Sequence, residues 1–391
     1  MSSNRKSDGM TRREMIGTAS LAALGTTMLS APQARAAQQQ AYQTGKDPGK
    51  HEPLEDFKFD LEAETGWVGE GGTAKEVTVE EFPVSKSIAG VSMRLKPGGI
   101  RELHWHAIAA EWSLVIKGKV RTTVISPNGE AATDDFGPGD IWYFPIGHGH
   151  SLQNMGDEEC HFLLGFDDGH FSEFGTFSIT DWVARTSPNV VSRNLGLSPE
   201  TVSNLPKKEL YILPGTKPPA IPEPYLSSNI ETSQSAHKFR LENLSPATFP
   251  GGWERIVSSK EFPINTTLTS VLQYLEPGSL REMHWHPNAD EWQYYINGHS
   301  RVTIFGAHGR SKVEEFGPGQ ICFIQKGFGH CVEQIGSEPT KIIALFNSPF
   351  FQEISISKWL AGNPPSLIAD NFGLSKADVE RLPKKTLGII A

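Results

Sequence analysis

The sequence predicts an all-β protein with two small closed β-barrels, or jelly rolls, in tandem, each followed by short helices. Three observations support this fold class: an internal repeat, short runs in which apolar and polar residues alternate, and frequent Gly and Pro turns. The 391-residue chain contains 38 Gly and 27 Pro, which favours many short strands over long helices. Many short antiparallel strands followed by helices are typical of such barrels.

The internal repeat has an offset of 180 residues, the separation of Arg101 and Arg281. The matched segments are 81–83 with 261–263, 101–106 with 281–286, and 136–139 with 316–319. The offset has fallen to 177 at Trp182 and Trp359, so the first half carries three extra residues between positions 166 and 178. The predicted barrels are residues 57–232 and 233–391, and residues 37–56 are predicted to form a flexible lead-in.

The strands are predicted from alternation and the helices from capping patterns. Residues 91–95 and 271–275 alternate, and a Pro-Gly pair follows each run. Near the end of each half, Ser198 and Ser375 begin sequences that cap helices. The two halves are therefore expected to share one order of strands and helices.

Residues 1–36 have the features of an export signal. Arg12 and Arg13 precede a weakly apolar stretch, and Ala34-Arg-Ala36 supplies a cleavage site after Ala36. The adjacent arginines are typical of the twin-arginine route. The apolar stretch is too short and too polar for a membrane anchor. We therefore expect an exported protein, periplasmic or secreted, without a membrane span after cleavage.

Composition and charge exclude several functional classes. Hydrophobic residues make up 38% and charged residues 21% of the chain, which is an ordinary soluble composition. The net charge is −9, so the sequence offers no basic face for nucleic acid. The cysteines, Cys160, Cys322 and Cys331, are odd in number and form no CxxC pair. We interpret them as buried apolar residues, with a Cys322–Cys331 disulfide as the alternative.

The candidate metal ligands are three histidines and one glutamate in each half. Residues two apart in a strand face the same side, so His104 and His106 present two imidazoles together. The full sets are His104, His106, Glu111 and His150 in the first half and His284, His286, Glu291 and His330 in the second. Such ligands suit Mn²⁺ or Fe²⁺ with open positions, although zinc, cobalt, nickel or copper are also compatible. The sequence therefore predicts two metal ions per chain.

The spacing of these residues resembles the two motifs of the cupin superfamily. Gly-x5-His-x-His-x4-Glu-x6-Gly runs from Gly98 to Gly118, and Gly-x5-Pro-x-Gly-x2-His-x3-Asn runs from Gly139 to Asn154. The tandem arrangement, with Phe-Asp-Asp-Gly from Phe166 and the sequence 180–182, resembles the bicupin oxalate decarboxylases. The resemblance covers essentially all of the mature chain.

In the second half, the matching positions depart from this pattern at two places. Gln325 and Gln334 stand where Pro145 and Asn154 stand in the first half. These changes affect turn geometry more than the metal ligands, all of which are present.

This resemblance implies a manganese enzyme that converts oxalate to formate and CO₂. It also implies that dioxygen is required but not consumed and that the chain forms a homo-oligomer, a hexamer in the family. Arg101 and Arg281 are implied to line the pockets, and a guanidinium binds a carboxylate through two hydrogen bonds. Strict alternation places Arg101 opposite His104, so we expect a twist or bulge, which Gly98-Gly99 would permit.

The resemblance also implies a proton donor on a mobile lid. The family's Ser-Glu-Asn-Ser segment corresponds to 172–175, here Ser-Glu-Phe-Gly, which makes Glu173 the candidate acid. The two changed positions leave the ratio of decarboxylase to oxidase activity open. In the second half, Ala344 matches a glutamate of the family, and Glu353 aligns with Glu173 only if the three-residue gap follows it. We expect the first site to dominate turnover and the second to be mainly structural or auxiliary.

Two alternatives to an oxalate decarboxylase remain. One is an oxalate oxidase or another metal-dependent cupin oxygenase, which would release hydrogen peroxide or an oxygenated acid instead of formate. The other is a non-catalytic bicupin, which the loss of metal ligands would favour. The chain retains all eight ligands.

Overall fold

The computed structural model describes residues 52–219 and 236–391. The predicted signal at 1–36, most of the lead-in and the predicted boundary at 232/233 lie outside the described residues. No helix among the described residues is long and apolar enough to cross a membrane.

Each half contributes strands followed by short helices, as the sequence predicts. The strands of the first half are β1 (Lys58–Asp60), β2 (Trp67–Val68), β3 (Gly72–Val77), β4 (Ala89–Leu95), β5 (Ile100–Trp105), β6 (Glu111–Lys117), β7 (Val120–Ile125), β8 (Ala131–Phe136), β9 (Asp140–Phe144), β10 (Gly149–Asn154), β11 (Cys160–Phe166), β12 (Phe177–Ser178) and β13 (Ile212–Leu213). Its helices are α1 (Ile179–Arg185), α2 (Pro188–Leu195) and α3 (Pro199–Ser203), and 3-10 turns lie at Leu61–Ala63 and Glu173–Gly175.

The second half repeats this order. Its strands are β14 (Lys238–Arg240), β15 (Ala247–Phe249), β16 (Gly252–Val257), β17 (Thr269–Leu275), β18 (Leu280–Trp285), β19 (Glu291–Asn297), β20 (Ser300–Gly306), β21 (Arg310–Phe316), β22 (Gln320–Ile324), β23 (Gly329–Gln334), β24 (Thr340–Phe346), β25 (Ile354–Ser355) and β26 (Ile389–Ile390). A 3-10 turn lies at Leu241–Asn243, and the helices are α4 (Ile356–Ala361), α5 (Pro365–Phe372) and α6 (Lys376–Arg381).

Each barrel is built from two antiparallel sheets. In the first barrel, a sheet of order β14-β9-β6-β11-β4-β3-β2 faces a sheet of order β12-β5-β10-β7-β8, and β13 also pairs with β5. The second barrel has the orders β1-β22-β19-β24-β17-β16-β15 and β21-β20-β23-β18-β25, and β26 pairs with β18. The structure therefore confirms the predicted all-β class with two tandem barrels.

The first strand of each half pairs in the sheet of the other half. Strand β1 lies antiparallel to β22, with Phe59 opposite Ile321. Strand β14 lies antiparallel to β9, with Phe239 opposite Ile141. The two barrels are thus joined by an exchange of edge strands as well as by the covalent chain.

The outer faces of the two large sheets form a shared apolar core between the barrels. Trp112 and Trp292 are fully buried there. Glycines permit this close approach, because a Cβ atom at Gly90 would lie 2.4 Å from the Trp292 ring and one at Gly165 would lie 2.2 Å from Leu345. Burial of large aromatic side chains makes this interface a principal source of stability.

The helices begin where the capping patterns predict. The Oγ atoms of Ser198 and Ser375 accept hydrogen bonds from the backbone N–H groups of Thr201 at 3.1 Å and Asp378 at 3.2 Å. These caps satisfy N–H groups that a helix leaves without partners at its start. In each half, the first helix directly follows the short strand, β12 or β25, that pairs with β5 or β18.

Candidate metal centres

The four predicted ligands of each half converge inside its barrel. In the first barrel, His104 on β5 lies directly opposite His150 on β10. Glu111 begins β6, and His106 follows the end of β5. All four side chains are buried, and their ligand atoms lie within 4.8 Å of one another. The ligand atoms of the second set, which equivalent strands carry, also lie within 4.8 Å of one another.

The donor atoms fit a bound cation because they have no hydrogen-bond partner among residues 52–219 and 236–391. In the first set, these are Nε2 of His104, His106 and His150 and Oε2 of Glu111. The Nε2 atom of His150 lies 3.3 Å from Glu111 Oε2, and that of His330 lies 3.0 Å from Glu291 Oε2. Buried polar atoms without partners are unfavourable unless a ligand satisfies them. The donor set of nitrogen and oxygen suits Mn²⁺ or Fe²⁺.

Backbone carbonyls orient the imidazoles. The Nδ1 atom of His104 donates to the carbonyl of Glu102 at 2.6 Å, and that of His150 donates to the carbonyl of His148 at 2.8 Å. Donation from Nδ1 fixes the tautomer in which Nε2 carries the lone pair for a metal. Burial lowers the pKa of His104 well below its ordinary value, which favours the neutral, ligating form.

The two centres differ in the group behind the glutamate ligand. In the first, the indole Nε1 of Trp142 donates to Glu111 Oε1 at 2.6 Å. In the second, Cys322 occupies the matching position, and Gln293 Nε2 donates to Glu291 Oε1 at 2.8 Å instead. The repeat shows that the residues differ, but it does not show that Trp142 and Gln293 contact the glutamate ligands, because neither residue belongs to a metal-binding motif.

Arg101 and Glu173 form a buried ion pair beside the first set of ligands. Arg101 Nε donates to Glu173 Oε1 at 2.7 Å, and Glu173 Oε2 lies 3.3 Å from His106 Nε2. Glu173 is 1% exposed. Burial alone would raise the pKa of this carboxyl, but Arg101 and His106 outweigh it and lower the pKa to about 2. In this closed arrangement Glu173 is therefore a carboxylate bound to Arg101.

A β-bulge turns Arg101 toward the ligands. Across β5 and β10, His104 pairs with His150 while Arg101 pairs with Leu152, so three steps on one strand match two on the other. Arg101 and Glu102 are both buried, and Leu103 is 60% exposed. The expected irregularity is present, but it lies at residues 102–103 and not at Gly98-Gly99. The same register shift separates Arg281 from His284.

The three extra residues of the first half lie between Phe171 and Phe177. Before the gap, the Phe171 ring lies 4.9 Å from that of His106, and the Phe351 ring lies 5.3 Å from that of His286. After the gap, Ser178 pairs with His104 as Ser355 pairs with His284. Ile354 pairs with Trp285 as Phe177 pairs with Trp105, so residues 172–176 stand where the second half has only Gln352 and Glu353. The strand register alone therefore leaves Glu353 matched with either Glu173 or Thr176.

The contacts of the arginines favour a match of Glu353 with Thr176, which places Glu173 among the extra residues. Arg101 Nη2 donates to Thr176 Oγ1 at 2.6 Å, and Arg281 Nη2 donates to Glu353 Oε2. The same guanidinium nitrogen thus meets a hydroxyl in one barrel and a carboxylate in the other.

Glu76 on β3 anchors the segment that carries Glu173. Its carboxylate accepts from Ser172 Oγ at 2.9 Å and from the backbone N–H of Glu173 at 2.9 Å. Burial raises the pKa of Glu76 to about 7, against the effect of these hydrogen bonds. This contact could not be predicted from the sequence, since Glu76 lies almost one hundred residues before its partners.

Glu102 and Glu282 tie the last strand of each half to the site. Glu102 Oε1 accepts from the backbone N–H groups of Leu210 and Tyr211 at 2.8 and 2.7 Å. Glu282 accepts from Leu387 and Gly388 in the same way. A glutamate directly follows the arginine in both halves of the sequence, and this repetition could have indicated the role. These hydrogen bonds hold the chain beside each arginine, and in the first half the Tyr211 ring packs 4.2 Å from the Arg101 guanidinium.

All three cysteines are free thiols. The alternative pairing of Cys322 with Cys331 is therefore absent. Burial raises the pKa of Cys160 to about 12, in agreement with its interpretation as an apolar core residue.

Comparison with known proteins agrees with this architecture. The cupin family model matches residues 64–203 and 241–380. The oxalate decarboxylase OxdC of Bacillus subtilis is 39% identical over 335 residues, covering 86% of this chain and 86% of that protein. An oxalate decarboxylase of Arthroderma benhamiae is 30% identical over 349 residues, with 82% and 80% coverage.

A solved structure of the Bacillus subtilis oxalate decarboxylase, studied for its Mn(II) centres, superposes with a TM-score of 0.83 at 38% identity. The match covers 87% of this chain and 90% of that chain. The chain belongs to the cupin family. Its two domains and the extent of these matches make it a bicupin related to the oxalate decarboxylases.

Proposed function

We propose that this chain is an enzyme that decarboxylates oxalate to formate and CO₂ at the first centre. The observation that carries the proposal is the buried Arg101–Glu173 pair beside the metal ligands. It supplies a cation for a small dianion and a carboxyl group for proton transfer within one pocket. The matches to oxalate decarboxylases along 86% of the chain support the same substrate.

Arg101 binds one carboxylate of oxalate in this proposal. Its guanidinium is fully buried and is held by Thr176 and the Tyr211 ring, so it is positioned before substrate arrives. A guanidinium fixes a carboxylate through parallel hydrogen bonds. Substrate therefore competes with Glu173 for Arg101, and its entry requires residues 172–174 to move away.

Glu173 then acts as the proton donor. Once oxalate neutralises Arg101, the main charge that lowers the pKa of Glu173 is compensated, and burial favours the protonated acid. Cleavage of the carbon–carbon bond releases CO₂, and the electron pair left on carbon takes the proton of Glu173 to give formate. Solvent returns that proton when the segment opens.

The metal in this proposal is Mn²⁺, held by His104, His106, Glu111 and His150, with a second ion at the matching set in the other barrel. When bound, Mn²⁺ acts as a Lewis acid toward a substrate carboxylate. Dioxygen is proposed as a co-catalyst that is required but not consumed. Exclusion of dioxygen is therefore expected to stop formate production.

The test measures formate, hydrogen peroxide and oxalate together, in air at mildly acidic pH, with the manganese-loaded mature protein. We expect formate to match oxalate loss and Glu173→Ala to abolish it. Glu80→Ala, which changes an exposed glutamate, is the matched control. Peroxide in place of formate would make the chain an oxalate oxidase, the alternative that Phe174 and Gly175 leave open. If neither formate nor peroxide forms although metal is bound, both activities are contradicted and a non-catalytic bicupin is favoured.

We also propose that the protein is exported by the twin-arginine route and forms a homo-oligomer, a hexamer in the resembled family. Arg12-Arg13 support the route, and the exposed rings of Trp182 and Trp359 on equivalent helices offer apolar contact surfaces. Replacement of both arginines by lysine should retain the precursor in the cytoplasm. Sedimentation of the mature protein as a monomer would contradict the assembly.

A further inference from the structure

The interior of the second barrel is polar where that of the first is apolar. Ala74 on β3 pairs with Met93, whereas the equivalent pair on β16 and β17 is Glu254 and Gln273. Glu254 is only 7% exposed. A buried carboxylate is unfavourable unless a nearby charge compensates it. The interior therefore requires a cation close to Glu254.

That cation is Arg281. Glu254 Oε2 lies 3.8 Å from Arg281 Nε, and neither atom has a hydrogen-bond partner among the described residues. In the first barrel, the corresponding Nε atom donates to Glu173. Glu254 thus faces Nε of Arg281 from inside the second barrel. In the first barrel, Glu173 reaches the matching Nε of Arg101 from the inserted segment.

Arg281 has a second carboxylate partner in Glu353, at Nη2. Burial raises the pKa of Glu254, and Arg281 provides the strongest opposing effect. The two glutamates together also raise the pKa of Arg281 against its burial. The guanidinium of the second centre is therefore enclosed by two carboxylates, and that of the first by one.

The elements that carry these partners also differ. Glu173 lies on the 3-10 turn Glu173–Gly175, outside the strands and between β11 and β12. Glu254 lies in the middle of β16, which pairs with both β15 and β17. Glu353 directly precedes β25, whose Ser355 pairs with His284. Opening of the loop that carries Glu173 can free Arg101 for an anion, whereas the charge of Arg281 stays compensated by its two carboxylate partners.

We propose that Glu254 is a specificity-determining residue that keeps Arg281 compensated and thereby excludes the oxalate dianion from the second centre. This inference rests on the proposed function for its substrate. Like charges at short range in a buried site strongly oppose binding of a dianion. The second centre then differs from the first in the anion that it admits, although the metal ligands are identical.

The test is the number of oxalate molecules bound per chain, measured by equilibrium dialysis with radiolabelled oxalate at neutral pH. The protein is the manganese-loaded full chain carrying Glu173→Gln, in which the proposed function prevents turnover. Manganese content is measured on the same samples. We expect one oxalate per chain in this background and two after addition of Glu254→Gln, which preserves side-chain volume.

Two further variants assign the second molecule. Glu254→Ala with Glu353→Thr introduces the residues of the first barrel, Ala74 and Thr176, and is also expected to bind two oxalates. Addition of Arg281→Met to Glu254→Gln should return the number to one.

Two bound oxalates before any change at Glu254 would overturn the inference. Binding of only one oxalate per chain in every Glu254 variant, at full manganese content, would also overturn the inference. The proposed function is read separately, from formate production by the unmutated enzyme, so the two can fail independently. Absence of oxalate binding in every variant would contradict the inference, and absence of formate production by the unmutated enzyme would contradict the proposed function.

Discussion

Arg101 reaches the metal ligands only because the backbone between it and His104 is irregular. The bulge at residues 102–103 turns Arg101 inward and leaves Leu103 in solvent. The position of an arginine three residues before a histidine is therefore not enough to define its role. The partners of the guanidinium decide it, and these differ between Arg101 and Arg281.

Arg101→Lys should raise the KM for oxalate, because a lysine ammonium cannot make the paired hydrogen bonds of a guanidinium. Hydrogen bonds to charged groups contribute about 1.5–3 kcal/mol, so we expect a rise of about tenfold to hundredfold. Steady-state formate production measures it. Arg281→Lys is the matched variant and should change KM little. Equal effects of the two substitutions would show that both pockets bind substrate.

The raised pKa of Glu76 predicts that the stability of the protein falls as the pH rises. Its pKa of about 7 in the folded protein exceeds that of an ordinary glutamate, so the folded state binds the proton more tightly than the unfolded state. Its contribution to stability is full below about pH 4.5 and is lost as the pH rises through about 7. Relative to Glu76→Gln, the free energy of unfolding should fall by about 1–2 kcal/mol across this range.

Urea denaturation of the metal-free proteins between pH 4.5 and 8 measures this difference. A difference between the two proteins that does not change with pH would show that Glu76 titrates normally.

Among the elements of the fold, the segment 172–174 distinguishes the two halves most clearly. It places Glu173 against Arg101, and Glu76 holds its backbone. The second barrel passes from Phe351 to Ser355 without it. A local insertion of this kind adds a movable group to a site without altering the strands that hold the metal ligands.

Deletion of residues 172–174 should reduce formate production by about a hundredfold or more, since a positioned general acid contributes about 10²–10⁴ in rate. Manganese content should remain at the wild-type level, because no ligand lies in the segment. Kinetics and metal analysis of one preparation measure both. Retention of formate production would exclude Glu173 as the proton donor.

The sequence predicted the strands, the repeat and all eight ligands, because these follow from periodicity and fixed spacing. It did not decide whether Glu353 matches Glu173, since the length of the gap is the same in both alignments. The contacts of the two guanidinium groups favour a match of Glu353 with Thr176, since each receives a hydrogen bond from Nη2. Glu76 and Glu254 were missed for a related reason: each is a lone acidic residue on a strand, and its partner is distant in sequence.

At the scale of the whole molecule, the two metal centres lie in barrels that share a core and exchange strands. Trp112 and Trp292 fill the contact between them. We therefore expect a chain that loses one centre to remain folded, because none of the metal ligands belongs to this shared core.

Glu111→Ala should abolish formate production, and Glu291→Ala should reduce it only partly. The reason is that only the first barrel carries the inserted acid beside a singly paired arginine. Specific activity and thermal unfolding of both variants measure this difference. Equal loss of activity in two folded variants would contradict the assignment of turnover to the first centre.

The strand exchange has a consequence for the protein as two pieces. A fragment comprising one half retains a strand, β1 or β14, whose partner it lacks, and exposes the edge, β9 or β22, that the missing strand would cover. Uncovered edges of this kind pair readily with any matching strand. Two such fragments, produced separately and mixed, are thus complementary, and each alone can satisfy its edge with a second copy of itself. The two halves belong to one polypeptide, but their strands pair as those of two intertwined subunits would.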